Sequence, residues 1–237
     1  MLFVRSLIFN VAMYLVLAVM GVIGAIPAML SRDWAYWFMS RFCHVVFWLM
    51  RNVIDLKLEI RGPVPQGECV VAAKHQSFLD IIILMGTLPR PKFVMKDSVK
   101  WTPIVGFYAM QIGCAPVKRE QKGAMGKMMD EVAQERSDPG QIVIYPQGTR
   151  VAPGKTARYK RGAAALYETF ALPCVPAATN AGVFWGRNDF LRRPGTVVME
   201  FLPVIPLGLD QKAFLERLES EIEPASAALL EAPKLDG

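Results

Sequence analysis

Two residues of the sequence, His75 and Asp80, have the types and the spacing needed for acid–base chemistry. His75 follows the apolar run Cys69–Ala73, with one residue between them, and that run predicts a buried strand. His75 is therefore expected at the carboxyl end of a strand, where open α/β sheets build their sites. Asp80 is expected about one turn inside the next helix, so its carboxylate can fold back and hold the imidazole while the second ring nitrogen accepts a proton from a hydroxyl. Taken alone, the pair also fits a hydrogen-bonded loop histidine and a first-turn carboxylate favoured by the helix dipole.

Two further turns carry positive charge, and each follows a predicted strand. The first covers residues 113–119 and ends in two cations. The second is Tyr145-Pro146-Gln147-Gly148-Thr149-Arg150, in which Gly148 lets the backbone approach a ligand and Arg150 can bind a phosphate through two hydrogen bonds. Because the carboxyl ends of parallel strands meet at one edge of a sheet, we expect both turns to converge on His75.

The elements that position these residues alternate between strands and helices. The predicted strands cover residues 55–60, 69–73, 92–95, 114–117, 141–145, 174–178 and 196–202. The predicted helices cover residues 78–88, 103–110, 124–135, 161–170 and, as an exposed C-terminal helix, 211–223. This alternation predicts an α/β fold with a mixed, mostly parallel sheet flanked by helices on both faces.

The N-terminal part of the chain predicts a hydrophobic two-helix membrane anchor. Residues 6–30 carry no charge and would reach roughly 37 Å as a helix, which is enough to cross a bilayer core. Residues 34–54 form an amphipathic pattern with Arg41, His44 and Arg51 on one face. A turn is expected over residues 27–33. A single crossing, with the second helix on the membrane surface, stays open, and a cleaved signal peptide is the weaker alternative.

The predicted organisation is therefore a membrane-anchoring segment, residues 1–54, followed by a catalytic domain, residues 55–237. Four basic residues flank the anchor: Arg5, Arg51, Lys57 and Arg61. Because basic residues favour the cytoplasmic side, we expect the catalytic domain on the cytoplasmic side of the inner membrane.

Composition excludes several classes of protein. The 237 residues include 53% hydrophobic and 20% charged residues, so the chain is neither disordered nor fibrous. A mean hydropathy of +0.27, with a net charge of 27 − 21 = +6, fits a membrane-associated enzyme better than a secreted or nucleic-acid-binding domain. The four cysteines are dispersed and lack the spacing of zinc ligands, so we expect reduced, buried thiols and no metal site.

The order of these motifs resembles the 1-acyl-sn-glycerol-3-phosphate acyltransferase family, the glycerolipid acyltransferases with an HX4D motif. His75-Gln76-Ser77-Phe78-Leu79-Asp80 matches the first motif, and residues 113–119 resemble the second. Tyr145–Arg150 resembles the third motif, usually Phe-Pro-Glu-Gly-Thr-Arg, and residues 172–176 resemble the fourth. The resemblance covers roughly residues 55–205.

The resemblance implies an O-acyltransferase of phospholipid biosynthesis. In such an enzyme His75 removes the proton from the free hydroxyl of 1-acyl-glycerol-3-phosphate, and Asp80 orients His75. The acyl donor is acyl-CoA or acyl carrier protein, and the product is phosphatidic acid. The implied residues for the acceptor phosphate are Arg119, Gly148, Thr149 and Arg150, with weaker support from Lys96, Lys118, Gln147 and Lys160. No metal, other cofactor or nucleic acid is implied; the implied partners are the donor, the lysophospholipid acceptor and membrane lipids.

Gln147 departs from the family pattern because Glu is usual at that position. The change motivates one alternative, in which the same chemistry acts on another lyso-lipid such as lyso-ornithine lipid. A second alternative is a non-catalytic, basic membrane-binding protein. This second hypothesis fits the basic stretch over residues 150–161 and the apolar N-terminal segment. It gives no role to the His75–Asp80 spacing.

Overall fold

The computed structural model describes residues 1–118, 121 and 123–231, and within them the chain forms one seven-stranded sheet with helices on both faces. The strands are β1 (Leu56–Arg61), β2 (Cys69–Ala73), β3 (Pro91–Lys96), β4 (Ala115–Val117), β5 (Gln141–Ile144), β6 (Cys174–Thr179) and β7 (Gly195–Phe201). The α-helices are α1 (Leu2–Ile23), α2 (Ala25–Leu30), α3 (Arg32–Val53), α4 (Leu79–Thr87), α5 (Val105–Gln111), α6 (Ala124–Gln134), α7 (Gly162–Phe170), α8 (Ala181–Phe184) and α9 (Gln211–Glu231).

The strands follow the order β1-β7-β6-β2-β5-β3-β4 across the sheet. Among these strands β6 and β7 pair antiparallel, and the other neighbours pair parallel. The mixed, mostly parallel sheet predicted from the sequence is thereby confirmed. Every residue of β2 and of β6 is buried, because helices cover both sides of a central parallel strand. β2, which leads to His75, lies in the middle of the sheet.

Two apolar cores cover the two faces of the sheet. On β2, Val71 and Ala73 contribute to one core, and Val70 and Ala72 contribute to the other, as the two-residue period of a strand requires. The first core contains side chains of α1, α3 and α4, and the second contains side chains of α6, α7 and α9. The N-terminal helices therefore share a core with the helix that carries Asp80.

The C-terminal helix α9 differs from its prediction in length and in burial. It continues to Glu231, and one of its faces packs on the sheet instead of facing solvent. Its fully buried side chains recur every four residues: Phe214, Leu218 and Ile222. That spacing places them on one helical stripe. The prediction of an exposed helix rested on the acidic residues, of which Glu216 does face solvent, whereas the apolar spacing was the more informative pattern.

Helix α1 has the length and the apolar composition needed to cross a membrane, and no other helix in the described part of the chain meets that criterion. Phe9 and Met13 face the protein core. The other side of α1 exposes a row of apolar side chains, which includes Phe3, Val4, Leu7, Ile8, Val11, Tyr14 and Leu15. In α3, Arg41, His44 and Arg51 are exposed, as the amphipathic pattern predicts. A two-helix anchor remains a prediction.

The turn predicted over residues 27–33 is present only in part, because helix α2 continues to Leu30 and the break before α3 falls at Ser31. Pro27 lies in the first turn of α2, where the backbone N–H that proline lacks would have no intrahelical acceptor. Gly24 separates α1 from α2, and Ser31, inside the predicted range, separates α2 from α3. Ser31 is extended, and its side-chain oxygen accepts a hydrogen bond from the Asp33 N–H at 3.2 Å, which begins α3.

An ionic cluster joins the start of α3 to the sheet and consists of Arg32, Arg90, Lys92, Glu135 and Asp138. Arg32 lies 2.6 Å from Glu135, and Asp138 lies 2.8 Å from Arg90 and 3.2 Å from both Arg32 and Lys92. Burial alone would raise the pKa of Asp138, but the hydrogen bond from Arg32 and the charge of Lys92 outweigh it and lower that pKa. Asp138 is therefore the anion at which three cations meet.

We expect Asp138→Asn to reduce the free energy of unfolding by about 1–3 kcal/mol at neutral pH, because it leaves three partly buried cations with one fewer counter-charge. A carboxylate whose pKa is lowered by folding stabilises the fold above its unfolded pKa, about 4, and loses that effect as pH falls through its folded pKa. The difference between the two proteins should therefore shrink below roughly pH 4. Urea denaturation in detergent micelles measures it.

The matched control is Glu59→Gln, which removes half of the exposed Glu59–Arg61 pair and should change stability by less than about 0.5 kcal/mol. Equal losses in the two variants would contradict a special role for Asp138.

Candidate active site

The imidazole of His75 is held by the carboxylate of Asp80. His75 Nδ1 and Asp80 Oδ2 are 3.1 Å apart, and the Asp80 side chain is fully buried. The same oxygen accepts hydrogen bonds from the backbone N–H groups of Gln76 at 2.6 Å and Ser77 at 2.8 Å. The loop after β2 thus folds back onto the first turn of α4 around one carboxylate oxygen, and this fixes the ring relative to the helix.

The hydrogen bond also determines which ring nitrogen is available to a substrate. A carboxylate only accepts hydrogen bonds, so Nδ1 of a neutral imidazole carries the proton and Nε2 keeps a lone pair. The His75 side chain is 13% exposed, so the ring reaches the surface while its partner stays buried. This arrangement suits the abstraction of a proton from a bound hydroxyl group.

Tyr145, at the end of β5, supports the ring from one face. Its ring stacks on the imidazole with centroids 3.9 Å apart and planes inclined by 17°. Burial, with a contribution from the Asp80 charge, raises the pKa of Tyr145 well above its ordinary value, so the side chain stays a neutral phenol. The sequence places Tyr145 in the third motif but gives no sign of this contact, because β2 and β5 are neighbours only in the folded sheet.

The loop after β5 runs alongside the loop that carries His75. The Val151 N–H donates a hydrogen bond to the His75 carbonyl at 2.8 Å. Arg150 is the residue before Val151, so its backbone lies next to that of His75. Gly148 adopts a positive φ of 69°, where a side chain would be strained. Its N–H donates to the Tyr145 carbonyl at 2.8 Å and is thus already used within the turn. Thr149 is exposed and Arg150 is half-buried.

The supporting cations lie at different distances along the same sheet edge. Lys160 packs against Gly148: a Cβ atom built on Gly148 would lie 3.0 Å from the Nζ atom of Lys160. Lys96 and Lys118 are exposed; Lys96 is the last residue of β3 and Lys118 follows β4, and these strands are the second and third from β2. At about 4.8 Å per strand, they start roughly 10 and 14 Å from the His75 strand. Arg119, which belongs to the same turn as Lys118, lies outside the described residues.

Gln147 is buried beneath the loop and does not face the surface. Its side chain is 2% exposed. Its amide nitrogen donates to Glu223 Oε1 of α9 at 3.1 Å, and it lies 3.4 Å from the Ala157 carbonyl. Sequence reasoning missed Glu223 altogether. Its position among the acidic residues of α9 gave no sign that this one turns inward.

Neither Ser77 nor Cys114 is placed as a nucleophile. The Ser77 hydroxyl is fully buried, donates to the Trp185 carbonyl at 2.6 Å and accepts from the Leu79 N–H at 3.1 Å. Burial raises the pKa of the Cys114 thiol to about 12, which keeps it protonated. Within the described ranges, no group of three His, Cys, Asp or Glu side chains has the proximity needed to hold a metal ion.

Comparison with known proteins gives 1-acyl-sn-glycerol-3-phosphate acyltransferases among the relatives of this chain. A 1-acyl-sn-glycerol-3-phosphate acyltransferase of Pseudomonas aeruginosa is 28% identical over 169 residues, which cover 70% of this chain and 66% of that protein. The human 1-acyl-sn-glycerol-3-phosphate acyltransferase alpha is 28% identical over 163 residues, which cover 66% of this chain and 58% of that protein. The matched region therefore spans 66% and 58% of the lengths of these two relatives, less than two thirds of each.

A solved structure has the same fold. The crystal structure of the 1-acyl-sn-glycerophosphate (LPA) acyltransferase PlsC from Thermotoga maritima matches with a TM-score of 0.79 at 18% identity, and covers 98% of this chain and 99% of that chain. At the level of sequence, the family model described as Acyltransferase matches residues 55–180. The matched region begins just before β1 and contains His75, Asp80 and the whole loop after β5. Because it spans more than half of the 237 residues, the chain belongs to the Acyltransferase family.

Proposed function

We propose that this protein is a 1-acyl-sn-glycerol-3-phosphate O-acyltransferase. It transfers a fatty acyl group from the thioester of acyl-CoA or acyl carrier protein to the free hydroxyl of lysophosphatidate, and the product is phosphatidic acid. The observation that carries the proposal is the His75–Asp80 pair, 3.1 Å apart, at the end of a central strand of an Acyltransferase-family chain. The names of the relatives, which act on 1-acyl-sn-glycerol-3-phosphate, support the choice of acceptor.

In the proposed reaction His75 is the general base. Its Nε2 atom takes the proton of the acceptor hydroxyl as the oxygen attacks the thioester carbonyl carbon. An ester C–O bond forms, the thioester C–S bond breaks, and the proton passes from the imidazolium to the departing thiolate. Asp80 keeps the ring in place and stabilises its protonated form. General-base catalysis of this kind contributes about 10²–10⁴-fold to a rate.

Arg150 is the proposed ligand of the acceptor phosphate. A guanidinium matches two phosphate oxygens, and the Val151–His75 hydrogen bond keeps Arg150 beside the base. Gly148, Thr149 and Lys160 complete this part of the site. Arg119 remains a predicted ligand, while Lys96 and Lys118 are better placed to attract an anionic lipid or donor to the sheet edge than to contact the reacting atoms.

The N-terminal segment, residues 1–54, is proposed to hold the catalytic domain on the membrane that contains its substrate. The exposed apolar row of α1 and the exposed Trp34, Trp37 and Trp48 of α3 support this assignment. A site held at the bilayer surface receives an acyl chain without carrying it through water, which would cost about 0.8 kcal/mol per CH₂ group. The inner membrane and the cytoplasmic side are the proposed location.

An acceptor with another headgroup, such as lyso-ornithine lipid, loses its main support. Gln147 is the feature that motivated it, and the Gln147 side chain is buried against Glu223 rather than exposed to a ligand. We therefore retain a phosphate-bearing acceptor.

We expect His75→Ala to lower kcat by about 10²–10⁴-fold, because it removes the base. Asp80→Asn should lower kcat as well, since its oxygen can still accept from the loop N–H groups but the charge is lost. The measurement is the transfer of a labelled acyl group to lysophosphatidate by purified protein in micelles. His44→Ala removes the only other histidine, which is exposed on α3, and should retain full activity. Undiminished transfer by the His75 variant would refute the assigned base.

Arg150→Ala should raise the KM for lysophosphatidate by about 10–100-fold, because a charge-assisted contact to phosphate is worth about 1.5–3 kcal/mol. The KM for the acyl donor should change much less. Arg217→Ala, at an exposed pair on α9, is the control. Initial rates with lysophosphatidate and with lyso-ornithine lipid separate the two acceptors. A wild-type preference for lyso-ornithine lipid, or an unchanged lysophosphatidate KM in the Arg150 variant, would contradict the proposed phosphate contact.

A further inference from the structure

A buried polar cluster lies directly behind the site and is centred on Glu223. We call it the Glu223 cluster, and its members are Lys74, Gln147, Tyr159 and Glu223. Glu223 belongs to α9 and lies beyond residues 55–180, the region matched by the family model. The other members belong to the loop after β2, the loop after β5 and the segment before α7.

Lys74 and Glu223 form a close ion pair. The Lys74 ammonium lies 2.7 Å from Oε1 and 2.6 Å from Oε2 of Glu223, and it also donates to the Lys155 carbonyl at 3.3 Å. The Lys74 side chain is 2% exposed and that of Glu223 is 17% exposed. A cation removed from water to this extent requires a counter-charge with good hydrogen-bond geometry, and Glu223 supplies it.

The same carboxylate reaches two further segments. Glu223 Oε1 accepts from the Gln147 amide at 3.1 Å and from the Tyr159 hydroxyl at 2.9 Å. Burial, together with the Glu223 charge, raises the pKa of Tyr159, so Tyr159 remains a hydrogen-bond donor. One oxygen therefore joins the loop after β2 to both ends of the connection between β5 and α7.

The segments joined by Glu223 are those that carry the reacting and binding groups. Lys74 directly precedes His75, and Gln147 precedes Gly148 in the loop that ends at Arg150. One backbone hydrogen bond, from the Val151 N–H to the His75 carbonyl, joins these loops, and the Glu223 cluster joins them a second time. A shift of about 1 Å in such a group can reduce a rate 10²-fold.

We infer that Glu223 is a positioning residue for acyl transfer, whose negative charge, supplied by the C-terminal helix, holds the His75 loop and the Arg150 loop in register. The inference rests on the proposed roles of His75 and Arg150. Glu223 acts through Lys74 and Gln147 and does not touch substrate. It also accounts for Gln147, because an amide at that position donates to a carboxylate that a glutamate there would repel.

The pairing of an amide with a carboxylate allows the charge to be moved without changing the number of atoms. Glu223→Gln leaves the buried Lys74 ammonium without a counter-charge. Adding Gln147→Glu returns one negative charge to the other side of the same hydrogen bond, within the same cluster. The double variant thus separates a requirement for charge from a requirement for the particular helix that carries it.

We expect Glu223→Gln to lower kcat by about 10–100-fold, measured per folded enzyme below its melting temperature. The KM for lysophosphatidate should change by a smaller factor than kcat. The shortest contacts of Glu223 are the two to Lys74, which precedes the base His75, so the loss of the charge disturbs the base more than the phosphate ligand. The variant E223Q/Q147E should have a kcat at least tenfold higher than that of E223Q. A role of Glu223 in stability alone would not produce this recovery of kcat per folded enzyme. Glu216→Gln is the matched control on the same helix, with a side chain 69% exposed, and should keep wild-type kcat.

A variant that replaces both charges, K74M/E223L, keeps the inference testable if E223Q does not fold. Neutral side chains of similar size preserve packing, so this variant should fold. Its kcat should stay at least tenfold below wild type, since Gln147 and Tyr159 lose their acceptor. Wild-type kcat in folded E223Q or in K74M/E223L, or a double variant E223Q/Q147E no faster than E223Q, would overturn the inference. Lack of lysophosphatidate turnover by the wild-type protein would instead refute the proposed function.

Discussion

The buried carboxylate of Asp80 is the constraint on which the site depends. One of its oxygens accepts from two backbone N–H groups and faces His75 Nδ1, so the loop after β2, the first turn of α4 and the imidazole are fixed by a single atom. A carboxylate taken out of water needs hydrogen bonds that replace its hydration, and the loop conformation supplies them at Oδ2. The position of the imidazole and the fold of the loop are thus one structural feature.

The sheet order brings the remaining groups to this point. β5 lies beside β2, so Tyr145 can stack on His75 and Val151 can bond to the His75 carbonyl, although some 70 residues separate them in sequence. Helix α9 then closes the assembly from the opposite side through Glu223. On the other face of the sheet, the N-terminal helices share the core of α4 and direct an apolar surface outward. Asp80 and the exposed apolar surface of the N-terminal helices therefore lie on one side of the sheet, and the helix that carries Glu223 lies on the other.

Local patterns in the sequence were sufficient for most elements and for the residues that touch each other locally. β2 was predicted at its observed bounds, because five consecutive apolar residues between polar turns fit only a strand covered on both faces. His75 and Asp80 are five residues apart, so their contact follows from the turn between them. Contacts between distant segments could not be predicted in this way: neither the Tyr145 stacking nor the Lys74–Glu223 pair has a signature in the sequence, because each depends on strand order and helix packing. The sequence around Pro27 does not distinguish a turn from helix α2, because proline is compatible with both a turn and a first helical turn.

The most direct test of the account is the tautomer of His75, measured by ¹⁵N NMR in a His44→Ala background, where His75 is the only histidine. At a pH of about 9 an ordinary imidazole is neutral. The account predicts a proton on Nδ1 and a lone pair on Nε2, with this preference lost on Asp80→Asn. A proton on Nε2, or an equal mixture of tautomers in the protein with Asp80 intact, would contradict it.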